Sequence, residues 1–336
     1  VSTPRPLELE SLVALLPVIA TTEVLLVGDL VADEYVFGET ERISREAPVL
    51  IVRYEGSELK AGGAGNAARN LAALGVKVRA LGLVGDDPLG TALLDELESG
   101  GIDVGGVLRV KGRATEAKTR ILAGGRSTRR QQMLRLDRTP SEPVPAAIEK
   151  KLVAELGRAG RRVDAVLASD YGSGTVGPAA IATLQRLRRG GVPVCADSRY
   201  ALRQFTGLTM VKPNEVELEA AAGVSLSQPR GLERAARTLL RRVACEVLLV
   251  TRGRNGLSVF RPGEPAVHLA AHGRQEAVDV TGAGDTVAAA FTAGLAASGD
   301  PILAARLANV AGALQVLKPG TATVSRQELA AELRRG

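Results

Sequence analysis

Short uninterrupted apolar runs alternate along this chain with stretches whose apolar positions recur every three or four residues. An uninterrupted run reads as a strand covered on both faces, and the 3.6-residue repeat reads as an amphipathic helix. The runs predict strands at Val24–Val27, Val78–Val84, Val163–Ala168, Val192–Ala196, Leu208–Val211 and Val247–Val250. The helical repeat predicts Asn66–Leu74, Leu89–Leu97, Ala146–Leu156, Pro178–Arg188, Glu215–Ala222, Leu232–Arg241, Thr286–Ala297 and Pro301–Val316. Strand–helix alternation of this kind predicts an α/β fold, a doubly wound and mainly parallel sheet with helices on both faces. Two segments, Tyr35–Leu59 and Val107–Arg138, break the rhythm with strand-like pieces at Val49–Tyr54, Thr119–Ala123 and Gln131–Leu136. They predict a small antiparallel sheet acting as a lid, inserted at about 35–59 and 107–138 into one domain covering 1–336. Such a sheet needs a cover for its apolar face, either a substrate cleft or a second subunit.

Strand after strand ends on a polar residue: Asp29, Asp170, Asp197, Asn214 and Thr251. Ligands of open α/β sheets bind beyond the carboxyl ends of the strands. Any one of these residues is accounted for as a turn former; the five together describe the rim of a site.

Composition narrows the class. The chain has 336 residues, 45% hydrophobic and 24% charged, as in an ordinary globular protein. No apolar run approaches the ~18–20 residues of a membrane span, and Leu7–Leu16 reads as an amphipathic leader stopped by Pro17, so a cytoplasmic protein without a membrane anchor is expected. Cys195 and Cys245 lie in or beside apolar strands and read as buried, reduced thiols. His268 and His272 match neither a zinc site nor a triad and are expected at the surface. The net charge of +6 admits nucleic acid as a partner, yet aromatic residues are 2% with no Trp, which leaves few stacking platforms. The arginines of Arg126–Arg138, Arg158–Arg162 and Arg186–Arg189 are dispersed, which suits helix ends and a small phosphorylated substrate rather than a nucleic acid.

The chemistry concentrates in Asp279-Val280-Thr281-Gly282-Ala283-Gly284-Asp285-Thr286, ahead of a small-residue helix. Backbone N–H groups at Gly282, Ala283 and Gly284 can approach an anion closely, and the helix directs its positive end at the same place. Asp285 beside such a cradle is either a helix cap or a base that takes a hydroxyl proton while the amides hold a transferring phosphoryl group. Gly62-Gly63-Ala64-Gly65-Asn66 reads as a tight loop into a helix, with Gly62, Gly63 and Asn66 set to meet a polyhydroxyl ligand. Its loose dinucleotide fingerprint lacks the apolar strand that should precede it, since Glu55–Lys60 is polar. Asn214 and Glu217 share one helix face and either organise Mg²⁺ through water or form a capping box. Lys212 adds a positive charge beside them. Asp29 and Asp33 bracket a strand exit, where either could bind vicinal hydroxyls. Lys118 and Arg120 share a strand face, which a phosphate between them or plain solvent exposure would explain. No Walker-type phosphate loop is present.

The segment Ala61–Gly75 and the segment Asp279–Gly294 resemble the two signatures of the ribokinase-like (PfkB) carbohydrate kinases, in the right order and over 200 residues apart. The resemblance implies a doubly wound sheet with a β lid, ATP with Mg²⁺, Asp285 as the base, and an anion hole at Gly282, Ala283 and Gly284. It places Asn214, Glu215, Val216 and Glu217 near the ATP phosphates and metal, and Thr251, Gly253 and Asn309 at the nucleotide. It further implies K⁺ beside the anion hole, at the loop near Gly320. A homodimer through the lid strands is expected by the same analogy.

Within that family, Arg42–Val49, Lys118–Arg120, Gln131–Asp137, Ser169–Tyr171 and Lys212–Asn214 resemble the D-glycero-D-manno-heptose 7-phosphate kinases. These make the 1,7-bisphosphate for ADP-heptose and lipopolysaccharide core assembly. The chain departs from them at Ser173, where they carry Lys, and at Asp197-Ser198-Arg199-Tyr200, where they carry Asp-Pro-Lys-Gly. Lys118, Arg120 and Arg199 are the candidates for the substrate phosphate, and Asp29, Asp33, Asn66 and Asp170 for hydroxyls. The absence of an H-x-G-H nucleotidyltransferase motif implies a kinase-only polypeptide or an excised domain. The competing readings are a kinase of a ketose phosphate or nucleoside, and a catalytically silent sugar or nucleotide sensor on the same fold. A nucleic-acid binder stands further off.

Overall fold

Uninterrupted apolar runs require apolar neighbours on both faces of a strand, and the fold supplies them. The computed structural model describes residues 6–125, 130–140, 142–273 and 276–335. The first part of the chain forms α1 (Pro6–Ile19), β1 (Glu23–Gly28), β2 (Leu30–Ile43), β3 (Leu50–Gly63), α2 (Ala64–Ala73), β4 (Lys77–Gly85) and α3 (Pro88–Ser99). Next come β5 (Asp103–Val110), β6 (Ala117–Gly124), β7 (Gln131–Arg138), α4 (Ala146–Ala159), β8 (Ala165–Asp170), α5 (Pro178–Arg189), β9 (Val194–Ser198) and β10 (Met210–Val211). The remainder forms α6 (Glu215–Ala222), α7 (Gly231–Val243), β11 (Val247–Thr251), β12 (Leu257–Phe260), β13 (Val267–Leu269), α8 (Ala283–Ser298), α9 (Pro301–Gln315) and α10 (Arg326–Arg335).

The large sheet has the order β13-β12-β11-β10-β9-β8-β1-β4-β5. It is parallel from β11 to β5, and β12 and β13 extend it antiparallel. Successive side chains alternate faces, as β1 shows. Val24 and Leu26 pack with α1, α2, α3, α8, α9 and α10, whereas Leu25 and Val27 pack with α4, α5, α6 and α7. Each such side chain removed from water contributes about 1.5–3 kcal/mol. Strand order reverses at the β8–β1 junction, the place where such sheets open a crevice. The chain ends of β11, β10, β9, β8 and β1 are neighbours there, so Thr251, Asn214, Asp197, Asp170 and Asp29 stand side by side.

The small sheet, ordered β3-β2-β6-β7, departs from the expected antiparallel lid. Its outer pairs are antiparallel, but β2 and β6 run parallel, Ala32–Glu39 against Ala117–Gly124. The reason is topological: β1 and β5 are parallel in the large sheet, so the chain leaving each enters the small sheet in the same sense. Two boundaries also differ. Val107–Val110 belongs to β5 at the edge of the large sheet, where one-sided cover gives it a broken apolar pattern. The small sheet begins at Leu30, and the polar stretch Glu55–Lys60 is part of its long strand β3. Helix α1 runs through Pro17 to Ile19 and buries Leu12, Leu15, Leu16 and Ile19 in the core, more than a leader would.

Among the described residues no helix is long and apolar enough to cross a membrane. Both cysteines are free and buried, and burial pushes each thiol up to about 12. His268 is exposed; His272 is half-buried and its Nε2 meets Glu332 at 2.9 Å. Of the arginines at 126–138, Arg126 and Arg129 lie outside the described residues. Arg130 pairs with Glu55 and Arg135 with Asp137.

Candidate active site

Helix α8 starts abruptly because Gly282 turns the chain in the left-handed region, at φ 80°. A Cβ there would also lie 2.7 Å from Asn66 Nδ2, so only glycine allows both the turn and the approach. No side chain caps α8, and the N–H groups of Gly284 and Asp285 make no backbone bond. The positive end of a sixteen-residue helix therefore opens on the rim with bare donors.

Asp285, 5% exposed, lies in the first turn of α8. Asn66 Nδ2 donates to its Oδ2 at 2.7 Å and the Tyr171 hydroxyl to its Oδ1 at 2.7 Å. Small residues of α2 let that helix pack closely on α8. Asn70 supports the arrangement, donating to Asn66 O and accepting from Thr286 Oγ1. Burial, then the charge of Asp197, pushes the Asp285 carboxyl up to about 6 against the pull of Asn66, Tyr171 and Lys212. Burial and the Asp285 charge hold the Tyr171 phenol well above its ordinary range.

Lys212 is 3% exposed; its Nζ meets Asp197 Oδ2 at 2.9 Å and stands 3.3 Å from where a Gly284 Cβ would be. Burial works against its charge, but Asp197, Glu217 and Asp285 outweigh burial and keep the ammonium above the ordinary lysine range. A carboxylate, a phenol, an ammonium and open amides thus converge on one corner. That corner can withdraw a proton from a hydroxyl and hold negative charge beside it.

Several residues expected to face a ligand are instead engaged with the protein. Asp29 accepts three backbone bonds, from Tyr171 N (2.8 Å), Ser173 N (3.1 Å) and Thr175 N (3.0 Å), so it shapes the 171–175 loop rather than awaiting hydroxyls. Asp170 accepts from Ser198 Oγ at 2.6 Å and Gly172 N at 3.0 Å. Arg120 binds Asp33 at 2.6 Å, and Gly62 is needed there because a Cβ would lie 2.3 Å from Asp33 Oδ2. Gly63 continues the turn into α2 at φ 57°. Lys118 meets Glu116 at 3.6 Å and lies 5.7 Å from the Tyr171 ring centroid, while Arg120 stacks over Tyr35. The two cations therefore have their own carboxylates, and no anion between them is required. Arg199 is exposed and lies over the Tyr200 ring.

Asn214 and Glu217 form a full capping box: Glu217 N donates to Asn214 Oδ1 and Asn214 N to Glu217 Oε2, each at 2.8 Å. Glu217 Oε1 makes no bond to the described residues and remains for a water. Glu215 pairs with Arg252, Val216 is 77% exposed, and Thr251 bridges to Asn214, with Gly253 in the next turn. Asn309 is committed to the 270 loop, its Nδ2 donating to Ala270 O at 2.7 Å. At Gly320, the loop expected beside K⁺, the carbonyl oxygen accepts from Gln315 Nε2 at 3.2 Å.

Sequence reasoning missed Tyr171 as a partner of Asp285, and it missed Glu116, whose carboxylate accepts from the Ser173 hydroxyl. Tyr171 had a signal, since it directly follows the polar end of β8. Glu116 had none, lying in a loop that only the small sheet brings to the rim.

The pfkB family carbohydrate kinase pattern matches residues 21–328. The chain is 39% identical over 313 residues to the bifunctional protein HldE of Pelobacter propionicus and 40% identical over 314 residues to that of Trichlorobacter lovleyi. Each match covers 93% of this chain and 63% of the relative, so the chain spans less than two thirds of the length of these relatives. In fold it is similar to Arabidopsis thaliana ribokinase complexed with ribose and ATP, with TM-score 0.72 and 20% identity over 93% of this chain and 99% of that one. It is also similar to Escherichia coli phosphofructokinase-2 in complex with potassium, with TM-score 0.73 and 20% identity over 94% and 99%. By the match over most of its length, joined to a ribokinase-like sheet with its separate small sheet, the chain belongs to the pfkB family of carbohydrate kinases.

Proposed function

We propose that the protein transfers the γ-phosphoryl group of ATP to the anomeric hydroxyl of D-glycero-D-manno-heptose 7-phosphate, within ADP-heptose formation for lipopolysaccharide. The observation that carries the chemistry is Asp285, a buried carboxylate beside the uncapped amides of α8 and the Lys212 ammonium. Asp285 withdraws the hydroxyl proton, and the N–H groups of Gly284 and Asp285, with Lys212, take up charge on the transferring group. The sugar hydroxyl joins Asn66 and Tyr171 at the carboxylate, each of whose oxygens accepts one of those donors and keeps a further lone pair.

Glu217 Oε1 suits a divalent ion held through water. Among the described residues no cluster of three or more acidic, His or Cys side chains forms a metal cage. Mg²⁺ fits that donor set, because it keeps several waters and binds through few carboxylates plus phosphates. When bound it neutralises charge on the phosphates; the residues named here position the ion's water and the sugar. Thr251, Gly253 and Val216 line the nucleotide side. Lys118 and Arg120, carried on β6 over the rim, bind the sugar phosphate with Arg199.

The heptose assignment draws its support from the HldE relatives and from the segments shared with heptose 7-phosphate kinases. Ser173, held by Asp29 and Glu116, and the exposed Arg199 favour a second reading, a kinase of another sugar phosphate. A coupled assay of ADP release with heptose 7-phosphate, fructose 6-phosphate, ribose and adenosine separates the two. Preference for fructose 6-phosphate rejects the heptose, and no ADP with any sugar favours a silent sensor. The small sheet exposes Leu50, Tyr54, Met133, Leu134 and Leu136 on its edge strands β3 and β7, an apolar surface suited to a homodimer through the lid. A cytoplasmic location follows from the supply of ATP.

A further inference from the structure

Two loops meet behind the start of α8: residues 279–282, which lead into it, and 317–321, which follow α9. Asp279 ties them from one side, its Oδ1 accepting from Thr281 N at 2.9 Å and its Oδ2 from Gly320 N at 2.8 Å. Gln315 ties them from the other. Its Nε2 donates to Thr281 O at 2.7 Å and to Gly320 O at 3.2 Å, and the residue is fully buried. This is the loop to which family resemblance assigns K⁺.

A K⁺ ion is held by several oxygens, typically backbone carbonyls, that replace its hydration shell. Here two carbonyls on the facing loops are already served by a donor that is part of the chain. The orientation of the amide follows from chemistry. Turned the other way, Gln315 Oε1 would face two carbonyl oxygens and place three acceptors together. The negative charge of Asp279 is also accounted for. Partial burial acts to raise its carboxyl, but the N–H bonds from Thr281 and Gly320 and the charge of Arg120 hold it below the usual carboxylate range. Two side-chain oxygens here, Gln315 Oε1 and Thr321 Oγ1, are buried without a partner among the described residues. They are fewer than the several oxygens such an ion needs, so the residues at this place do not fit a monovalent-cation cage.

We propose that the Gln315 side-chain amide stands where a monovalent cation would otherwise join the 279–282 and 317–321 loops, so that the anion hole keeps its shape without K⁺. A tethered donor is present at every salt concentration, whereas an ion must be bound from solution. The catalytic consequence rests on reading the N–H groups of Gly284 and Asp285 as the anion hole. The joining of the loops does not, and it can be tested without sugar.

The test measures the melting temperature of the whole chain in the chlorides of K⁺, Na⁺ and tetramethylammonium at equal ionic strength, with thallous-ion NMR reporting a K⁺-type site. The wild type is expected to melt within about 1 °C in all three salts and to leave the thallous resonance unchanged. Gln315→Glu, nearly isosteric, replaces the donor by an oxygen. It is expected to bind the thallous ion and to melt about 2–4 °C higher in K⁺ than in tetramethylammonium. Should that variant not fold, Gln315→Leu, which leaves both carbonyls open, carries the same comparison. A saturable K⁺-specific rise in the wild-type melting temperature overturns the proposal. A folded Gln315 variant that melts alike in all three salts overturns it as well.

Discussion

Asp285→Asn should make the protein more stable at alkaline pH while removing its activity. The carboxyl titrates at about 6 in the folded protein against an ordinary 3.8, so ionisation is disfavoured by about two pH units. At about 1.36 kcal/mol per unit, the charged form at pH 8 holds about 3 kcal/mol of strain. The sign follows from linkage. Between the two values the folded protein binds more protons than the unfolded chain, so the stability linked to this group is fully present below 3.8 and is lost as pH rises through about 6. Asparagine removes the titration without leaving the network unpaired. Its oxygen accepts from Asn66 and its amide donates to the Tyr171 hydroxyl, which rotates to accept. For a chain of 336 residues, about 3 kcal/mol corresponds to a melting temperature raised by about 4 °C at pH 8, shrinking to under about 1 °C near pH 4. Turnover should fall by ~10²–10⁴ with ATP binding kept. Thermal melts at the two pH values, alongside ADP release, read both effects. A variant less stable than wild type at pH 8, or a difference independent of pH, refutes the account of the buried carboxylate; wild-type turnover refutes its role as base.

Tyr171→Phe removes one donor to Asp285, a bond to a charged group worth about 1.5–3 kcal/mol, so the acid limb of kcat/KM should move up by about one to two pH units while the rate near pH 9 stays close to wild type. An unmoved limb counts against the contact. Lys212→Met strands Asp197 as an unpaired charge and should lower stability by about 3–5 kcal/mol in urea unfolding. Adding Asp197→Leu should restore most of that loss, and a double variant no better than the single one contradicts the ion-pair reading. Gly62→Ala forces Asp33 away from Arg120, which leaves the guanidinium without the partner that positions it, and should raise the KM for the sugar phosphate about tenfold, with the KM for ATP unchanged. An equal rise in both would place the effect in the fold rather than at the sugar.

Much of the architecture was legible because local rules and tertiary demands agree in it. Val24–Val27 and Val247–Val250 are apolar at every position, a pattern that only a strand covered on both faces accommodates, and they pair as neighbours of such strands. The polar residues closing β1, β8, β9, β10 and β11 declared a rim because parallel strands all end at the same edge. The run Gly282-Ala283-Gly284-Asp285 declared an uncapped helix start, and the N–H groups of Gly284 and Asp285 are bare there, whereas Ala283 N, expected in the anion hole, donates to Val280 O at 3.2 Å. Other properties depend on contacts far apart in the chain. The parallel pairing of β2 with β6 follows from where β1 and β5 lie in the large sheet, which no short segment encodes. Asp29 and Asp170 looked like ligand groups but were claimed by nearby N–H and hydroxyl donors, because a buried carboxylate is costly unless it is bonded. Lys118 and Arg120 likewise found carboxylates in Glu116 and Asp33. Tyr171 meets Asp285 across 114 positions and Gln315 meets Thr281 across 34. Side-chain character alone shows which chemistry a residue can perform; which partner it takes is decided by the folded backbone, which brings donors and acceptors within hydrogen-bond range.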